Sequence, residues 1–110
     1  MKNFMSLEGK IIIVTGPAQG IGNAIAATAI DLGARVVGVD VNGEKLEAFA
    51  AATNNCLLPY VGSVADPQFT EATVRDVTAR LGAIHGLVNN AGITRPAIPT
   101  ERGHVAGRLD

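Results

Sequence analysis

Residues 10–22 restrict the fold most. Lys10-Ile-Ile-Ile-Val14 is a short β-branched run closed by Thr15 and Gly16, and Thr15-Gly16-Pro17-Ala18-Gln19-Gly20-Ile21-Gly22 then leads into a helical pattern. A run of this kind bounded by turn residues reads as a buried strand, here residues 10–14. The glycines suit a tight turn and close approach of backbone to a phosphate. A helix beginning near Gly20 would offer free N–H groups and its positive dipole end to that anion. A glycine-rich turn can also serve only to pack a helix closely on a sheet. The position between a strand and a helix favours the phosphate reading.

The rest of the chain repeats the alternation. Ile21, Ala24, Ile25, Thr28, Ala29 and Leu32 recur at helical spacing over residues 20–32, with Gly33 as a stop. A second strand spans residues 34–39 and runs out at Asp40. A second helix spans residues 42–53, capped by Asn42, with Leu46, Phe49, Ala50 and Thr53 on one face. A third strand covers residues 56–61, and Pro59 within it predicts an edge position because proline cannot donate to a ladder. Asp66 and Pro67 open a third helix whose inner face is Val74, Val77 and Leu81, and Gly82 ends it. A fourth strand follows at residues 84–88. Strands alternating with helices through short connections predict an α/β fold with a parallel sheet covered on both faces. Right-handed crossovers then favour a partial Rossmann fold with strand order 3-2-1-4, incomplete after strand four.

Composition narrows the function classes. The 110 residues are 47% hydrophobic and 17% charged with net charge −1, which suits a globular domain and leaves no basic footprint for nucleic acid. No stretch approaches the roughly 18 apolar residues of a membrane helix, and the N-terminus lacks the apolar core of a signal peptide. Cys56, the single cysteine, reads as a small core residue, and a cytoplasmic location is expected. No metal-binding residues are expected.

Asp40 refines the ligand. It lies about 20 residues past the loop, where a carboxylate can accept both ribose hydroxyls of a dinucleotide. The same charge would repel the extra phosphate of NADP. No Arg or Lys stands in the loop or immediately after Asp40, so the expected cofactor is NAD.

With these residues in view, the chain resembles the short-chain dehydrogenase/reductase family. The carriers are Thr15-Gly16-x-x-x-Gly20-Ile21-Gly22 and Asn89-Asn90-Ala91-Gly92, over roughly residues 6 to 98. The resemblance implies that Gly16, Gln19, Gly20, Ile21 and Gly22 form the pyrophosphate and nicotinamide side. It implies that Asp40 and Val41 meet the adenosine ribose and that Val64 flanks the adenine. Asn90, Ala91 and Gly92 would line the ribose near the nicotinamide, an Asn of this motif also tying neighbouring strands together. The family commonly has Asp-Val after strand three. Ser63-Val64 stands here instead, so Ser63 can hydrogen-bond the adenine but offers no carboxylate.

The family's chemistry also requires a Tyr acting as acid/base and a Lys four residues later. Tyr60 is the one tyrosine, position 64 is Val, and Lys10 and Lys45 both precede Tyr60. His85 and His104 are no substitute, so no catalytic residue is assigned. The expectation is the cofactor-binding half of an NAD(P)-dependent oxidoreductase acting on a small alcohol or ketone, with weak or no NAD binding and no turnover by itself. The alternative is a non-catalytic nucleotide-binding or interaction module, self-associating through an exposed strand-four edge. The asparagine motif argues against a Rossmann methyltransferase. Residues 1–98 form the truncated Rossmann domain of this reading, and residues 99–110 an irregular tail. One codon choice for residues 102–110, read a base further on, gives Ala-Asp-Met-Ser-Leu-Asp-Asp-Trp. That is similar to the family segment Ala-x-Met-Ser-Leu-x-x-Trp, so a frameshift near residues 100–102 is expected, with a deliberate fragment as the alternative.

Overall fold

The computed structural model describes residues 6–90. Ala91, Gly92, His104, the boundary expected after residue 98 and the tail lie outside the described residues. Strands β1 (Ile11–Thr15), β2 (Arg35–Asp40), β3 (Leu57–Val61) and β4 (Gly86–Asn89) alternate with helices α1 (Gly20–Asp31), α2 (Gly43–Ala52) and α3 (Pro67–Leu81). All pairings are parallel and the order is β3-β2-β1-β4, the α/β Rossmann-like arrangement that the alternation predicts. β3 is an edge strand, as Pro59 requires.

Alternate residues of each strand serve opposite faces. Val14, Val36 and Leu57 pack with Ala26, Ala29, Leu46 and Ala50, so α1 and α2 share one face. Ile13, Val37 and Val39 pack with Val77 of α3 on the other. The side chain of Asn42 accepts from the Lys45 N–H, and that of Asp66 accepts from the Gln68 and Phe69 N–H groups, so both helix starts are capped as expected. Gly82 closes α3 in the left-handed region at φ 88°.

Three expectations about the core need correction. α1 meets the sheet through Gly22, Ala26 and Ala29. These small residues let the helix approach closely, which turns Ile21, Ala24 and Thr28 outward; Ile21 is 66% exposed. The predicted stripe instead lines an open apolar hollow of about 500 Å³ beside Val88. On α3, Thr73 takes the buried position expected of Val74, which faces a second hollow with Ile84 and Leu87. Cys56 is half-buried just before β3 rather than a core residue. Strand and helix ends otherwise differ by one or two residues from the predicted ones.

A polar clamp fastens the β3 edge to α3. The Tyr60 hydroxyl donates to the Asp76 carboxylate, and Arg80 donates to both at 3.2 Å. The Tyr60 hydrogen bond, aided by Arg80, holds the Asp76 carboxyl below the usual carboxylate range. Burial, followed by the Asp76 contact, pushes the Tyr60 phenol up. A carboxyl with a depressed folded pKa stabilises at neutral pH and loses that contribution as pH falls below about 4; a phenol with a raised pKa loses its contribution above about pH 10. The thermal midpoint of the wild-type chain is therefore expected to exceed that of Asp76→Asn at about pH 6, with the gap narrowing as pH falls below about 4. A gap that stays constant over this range would mean that the clamp does not couple to Asp76 ionisation.

Candidate functional site

The site lies at the carboxyl ends of the strands, where α/β sheets form ligand crevices. Thr15 ends β1 and organises the neighbouring chain ends. Its hydroxyl accepts the Asn90 N–H at 2.8 Å and donates to Asn89 Oδ1 at 3.1 Å. Asn90 Nδ2 donates to the Gly16 carbonyl at 3.2 Å, so the end of β4 is tied to the loop. Asn90 is 2% exposed, and its Oδ1 is buried with no hydrogen-bond partner among the described residues.

The loop is built around short side chains. The Gly16 N–H donates to the Val39 carbonyl at 2.8 Å, and buried Pro17 sits over Gly38, where a Cβ would stand 3.0 Å from its ring. Gly22 permits the close packing of α1 on the loop: a Cβ there would overlap the Gly16 carbonyl oxygen and stand 2.5 Å from Asn90 Nδ2. Gly20 has φ +65° and open space where a Cβ would stand. Gly20 therefore serves backbone conformation, while Gly22 serves packing.

The start of α1 differs from those of α2 and α3. Gln19 is its N-cap but makes no side-chain capping bond, and no acidic residue occupies the first turn. The Asn23 amide donates to the Pro17 carbonyl at 3.1 Å and the Asn23 N–H reaches the Gln19 carbonyl, so backbone closes this turn from behind. An uncapped helix start concentrates N–H donors and partial positive charge at one point.

Asp40 stands across from it. One carboxylate oxygen accepts the Ala18 N–H at 3.0 Å and the other accepts the Asn42 N–H at 2.9 Å. The side chain thus holds the loop and the entry to α2 at a fixed separation, a role that sequence reasoning missed. Each oxygen keeps a further lone pair for a ligand hydroxyl. Gly16, Ala18, Gln19, Asp40, Val41, Asn42, Gly62, Ser63 and Val64 surround one groove of about 380 Å³. That volume falls within the roughly 300–1,000 Å³ usual for small-molecule sites. Ser63 accepts the Ala65 N–H at 3.0 Å, which leaves its hydroxyl proton free to donate, while Val41 and Val64 are exposed apolar walls.

The structure thus brings Gly16, Gln19, Asp40, Val41, Ser63 and Val64 together around the groove, with Gly20, Ile21 and Gly22 opening α1 beside it and Asn90 behind the loop. Ala91 and Gly92 fall outside the described residues. His85 is at the opposite end of β4, where Nδ1 accepts the Ile11 N–H at 2.9 Å; its role is to tie strands. Sequence reasoning also missed Lys45, whose ammonium donates to Gln19 Oε1 at 2.8 Å. A lysine in the first turn of the helix after β2 was the available signal. Among the described residues there is no group of three or more His, Cys, Asp or Glu that could hold a metal, and no helix long and apolar enough to cross a membrane.

Comparison with known proteins points one way. The family model for short chain dehydrogenases matches residues 10–104. The 3-oxoacyl-acyl-carrier-protein reductase of Salmonella typhimurium is 43% identical over 94 residues, 83% of this chain and 37% of that protein. D-threitol dehydrogenase of Mycolicibacterium smegmatis is likewise 43% identical over 94 residues, covering 83% of this chain and 36% of its own length. The 2,3-dihydro-2,3-dihydroxybenzoate dehydrogenase of Bacillus subtilis is 39% identical over 103 residues, with 87% of this chain and 38% of the relative covered. The chain therefore spans well under half the length of these relatives.

Proposed function

Because the chain belongs to the short-chain dehydrogenase family, whose members use NAD or NADP, we propose that its groove holds the adenosine and pyrophosphate of a dinucleotide, with NAD favoured. The uncapped start of α1 opposite Asp40 carries this reading. Gly16, Gln19, Gly20, Ile21 and Gly22 would present backbone to the pyrophosphate, neutralised by N–H donors and the helix dipole. Asp40 would accept ribose hydroxyls through its remaining lone pairs, beside Val41. Ser63 would donate to the adenine while Val64 packs on its face. Asn90 would hold the loop against the nicotinamide-side ribose, with Ala91 and Gly92 continuing that wall.

When bound, the dinucleotide supplies the hydride-exchanging centre. The substrate class of this reading is a small alcohol or ketone, consistent with relatives named as a reductase and as dehydrogenases. Tyr60, the one tyrosine of the 110 residues, is engaged with Asp76 and Arg80 on the β3 side, away from the groove lining. It supplies no acid/base group there, so the 110-residue chain is expected to bind NAD weakly and to turn nothing over. An NMR titration of the chain with NAD tests this. Movement of the Gly20, Ile21 and Gly22 amides is the expected result. An unchanged spectrum at saturating NAD, or measurable dehydrogenase turnover by the chain, would contradict it.

The open β4 edge favours a second reading. β4 pairs only with β1 among the described residues, and Leu87 is 63% exposed. A module that self-associates through this edge would sediment as a defined dimer and leave the NAD titration blank.

A further inference from the structure

The two edges of the sheet differ. β3 carries Pro59, whose missing N–H blunts an edge. β4 reads Gly86-Leu87-Val88-Asn89, with neither proline nor charge, and it pairs only with β1 among the described residues. The Val88 carbonyl faces β1, since the Thr15 hydroxyl lies 3.4 Å from it, and the Asn90 N–H donates to the same hydroxyl. Polar groups alternate in direction along a strand, so the N–H and C=O groups of Leu87 and Asn89 face the open side. Side chains alternate as well. Val88 lines the hollow on the α1 side, and Leu87 and Asn89 line the one on the α3 side.

Resting on the self-association reading above, we infer that a second copy of this chain pairs antiparallel along β4, about a twofold axis through Val88. A twofold axis normal to the sheet leaves the α1 and α3 sides where they are, so only residues of the same side can face each other. The axis must then pass through a residue rather than between two. Centred on Val88, Leu87 of each copy faces Asn89 of the other, and each of these two pairs exchanges two N–H···O=C bonds. Centred on Leu87, one such pair forms at the axis, and Asn89 meets His85, whose N–H is given to the Ile11 carbonyl at 2.8 Å. Centred on Asn89, Leu87 faces a residue beyond β4. Only the Val88 register uses the open N–H and C=O of both Leu87 and Asn89, and it sets Val88 against Val88 on the α1 side. Charge favours a copy of the chain over another partner. A twofold axis sets each nearby charge against itself, and no charged side chain lies in β4 or lines either hollow. A partner recognised by charge would find nothing to hold. No β4 residue lines the dinucleotide groove, so pairing and nucleotide binding coexist.

The test has two parts. A strand of 4 residues makes a small interface, under the roughly 1,200 Å² of a standard complex, so sedimentation equilibrium of the wild-type chain is expected to give a dimer with a dissociation constant of about 10 μM to 1 mM. Leu87→Lys is expected to weaken it by about tenfold or more, because it places a cation on the paired edge; Leu87 is 63% exposed, so the fold tolerates the change. Cross-linking then reads the register, in a Cys56→Ser background with oxidised glutathione as oxidant. The Val88 pair would have Cα atoms about 4.5 Å apart, within disulfide reach, whereas Leu87 stands diagonal to its own copy at about 7–8 Å. Val88→Cys is therefore expected to form covalent dimer at least about tenfold faster than Leu87→Cys. Faster cross-linking of Leu87→Cys, or a dimer that Leu87→Lys leaves unchanged, overturns the register while self-association stands. A wild-type chain that stays monomeric at about 1 mM removes the self-association reading and the inference with it.

Discussion

Gly22→Ala is expected to lower stability by roughly 3 kcal/mol or more, a larger loss than ordinary overpacking gives, because the obstruction is backbone rather than a movable side chain. The added methyl would overlap the Gly16 carbonyl oxygen and stand 2.5 Å from Asn90 Nδ2. Relief requires α1 to lift from the sheet or the loop to give up its bond to Asn90. Lifting α1 would uncover Ala26 and Ala29, which seat it on the buried core. For a unit of this size the thermal midpoint should fall by roughly 10–20 °C, read from circular dichroism. Gly20→Ala is the comparison. Its side chain would meet nothing within 4 Å, and only the φ of +65° penalises it. That cost is about 1–2 kcal/mol. Equal midpoints for the two variants would show that α1 does not sit on the loop as closely as the structure has it.

Asp40→Asn is expected to damage stability and binding together. Converting one carboxylate oxygen to an amide NH₂ sets a donor against either the Ala18 or the Asn42 N–H, so one of the two ties at 2.9–3.0 Å must break. Loss of a charge-assisted bond of this kind costs about 1.5–3 kcal/mol. The loop and the α2 entry would separate, so NAD affinity should fall by about tenfold, in line with a lost bidentate acceptor and a looser cradle. Urea unfolding and a titration of the same sample measure both. If Asp40→Asn raised NADP affinity with stability unchanged, the side chain would be a simple charge filter and the ties unimportant.

Local chemistry was legible wherever one residue type answers one local need. Asp66, Pro67 and Gly82 marked the ends of α3 because capping, a fixed φ and a left-handed residue are decided within a single turn. Pro59 marked an edge because a missing N–H has few tolerated positions. The phosphate loop was readable because glycine spacing and strand–helix context coincide. The α1 face was misread because periodicity ranks residues by hydrophobicity, whereas seating depth is decided by size. Gly22 and two alanines outcompeted isoleucine. The second role of Asp40 and the reach of Lys45 to Gln19 were hidden because they join residues 22 and 26 apart, whose proximity exists only once β2 lies beside β1. The clamp of Tyr60, Asp76 and Arg80 was invisible for the same reason.

The hollows beside β4 follow from where the helices sit more than from any single residue. Among the described residues α1 and α2 pack on one face of the sheet and α3 on the other. A helix about 10 Å across spans about two strands spaced 4.8 Å apart, so each helix roofs only part of its face. Each face keeps an apolar hollow bordering β4, one against Val88 and one against Leu87. A single further layer of polypeptide at this strand would find apolar surface to cover on both of its sides.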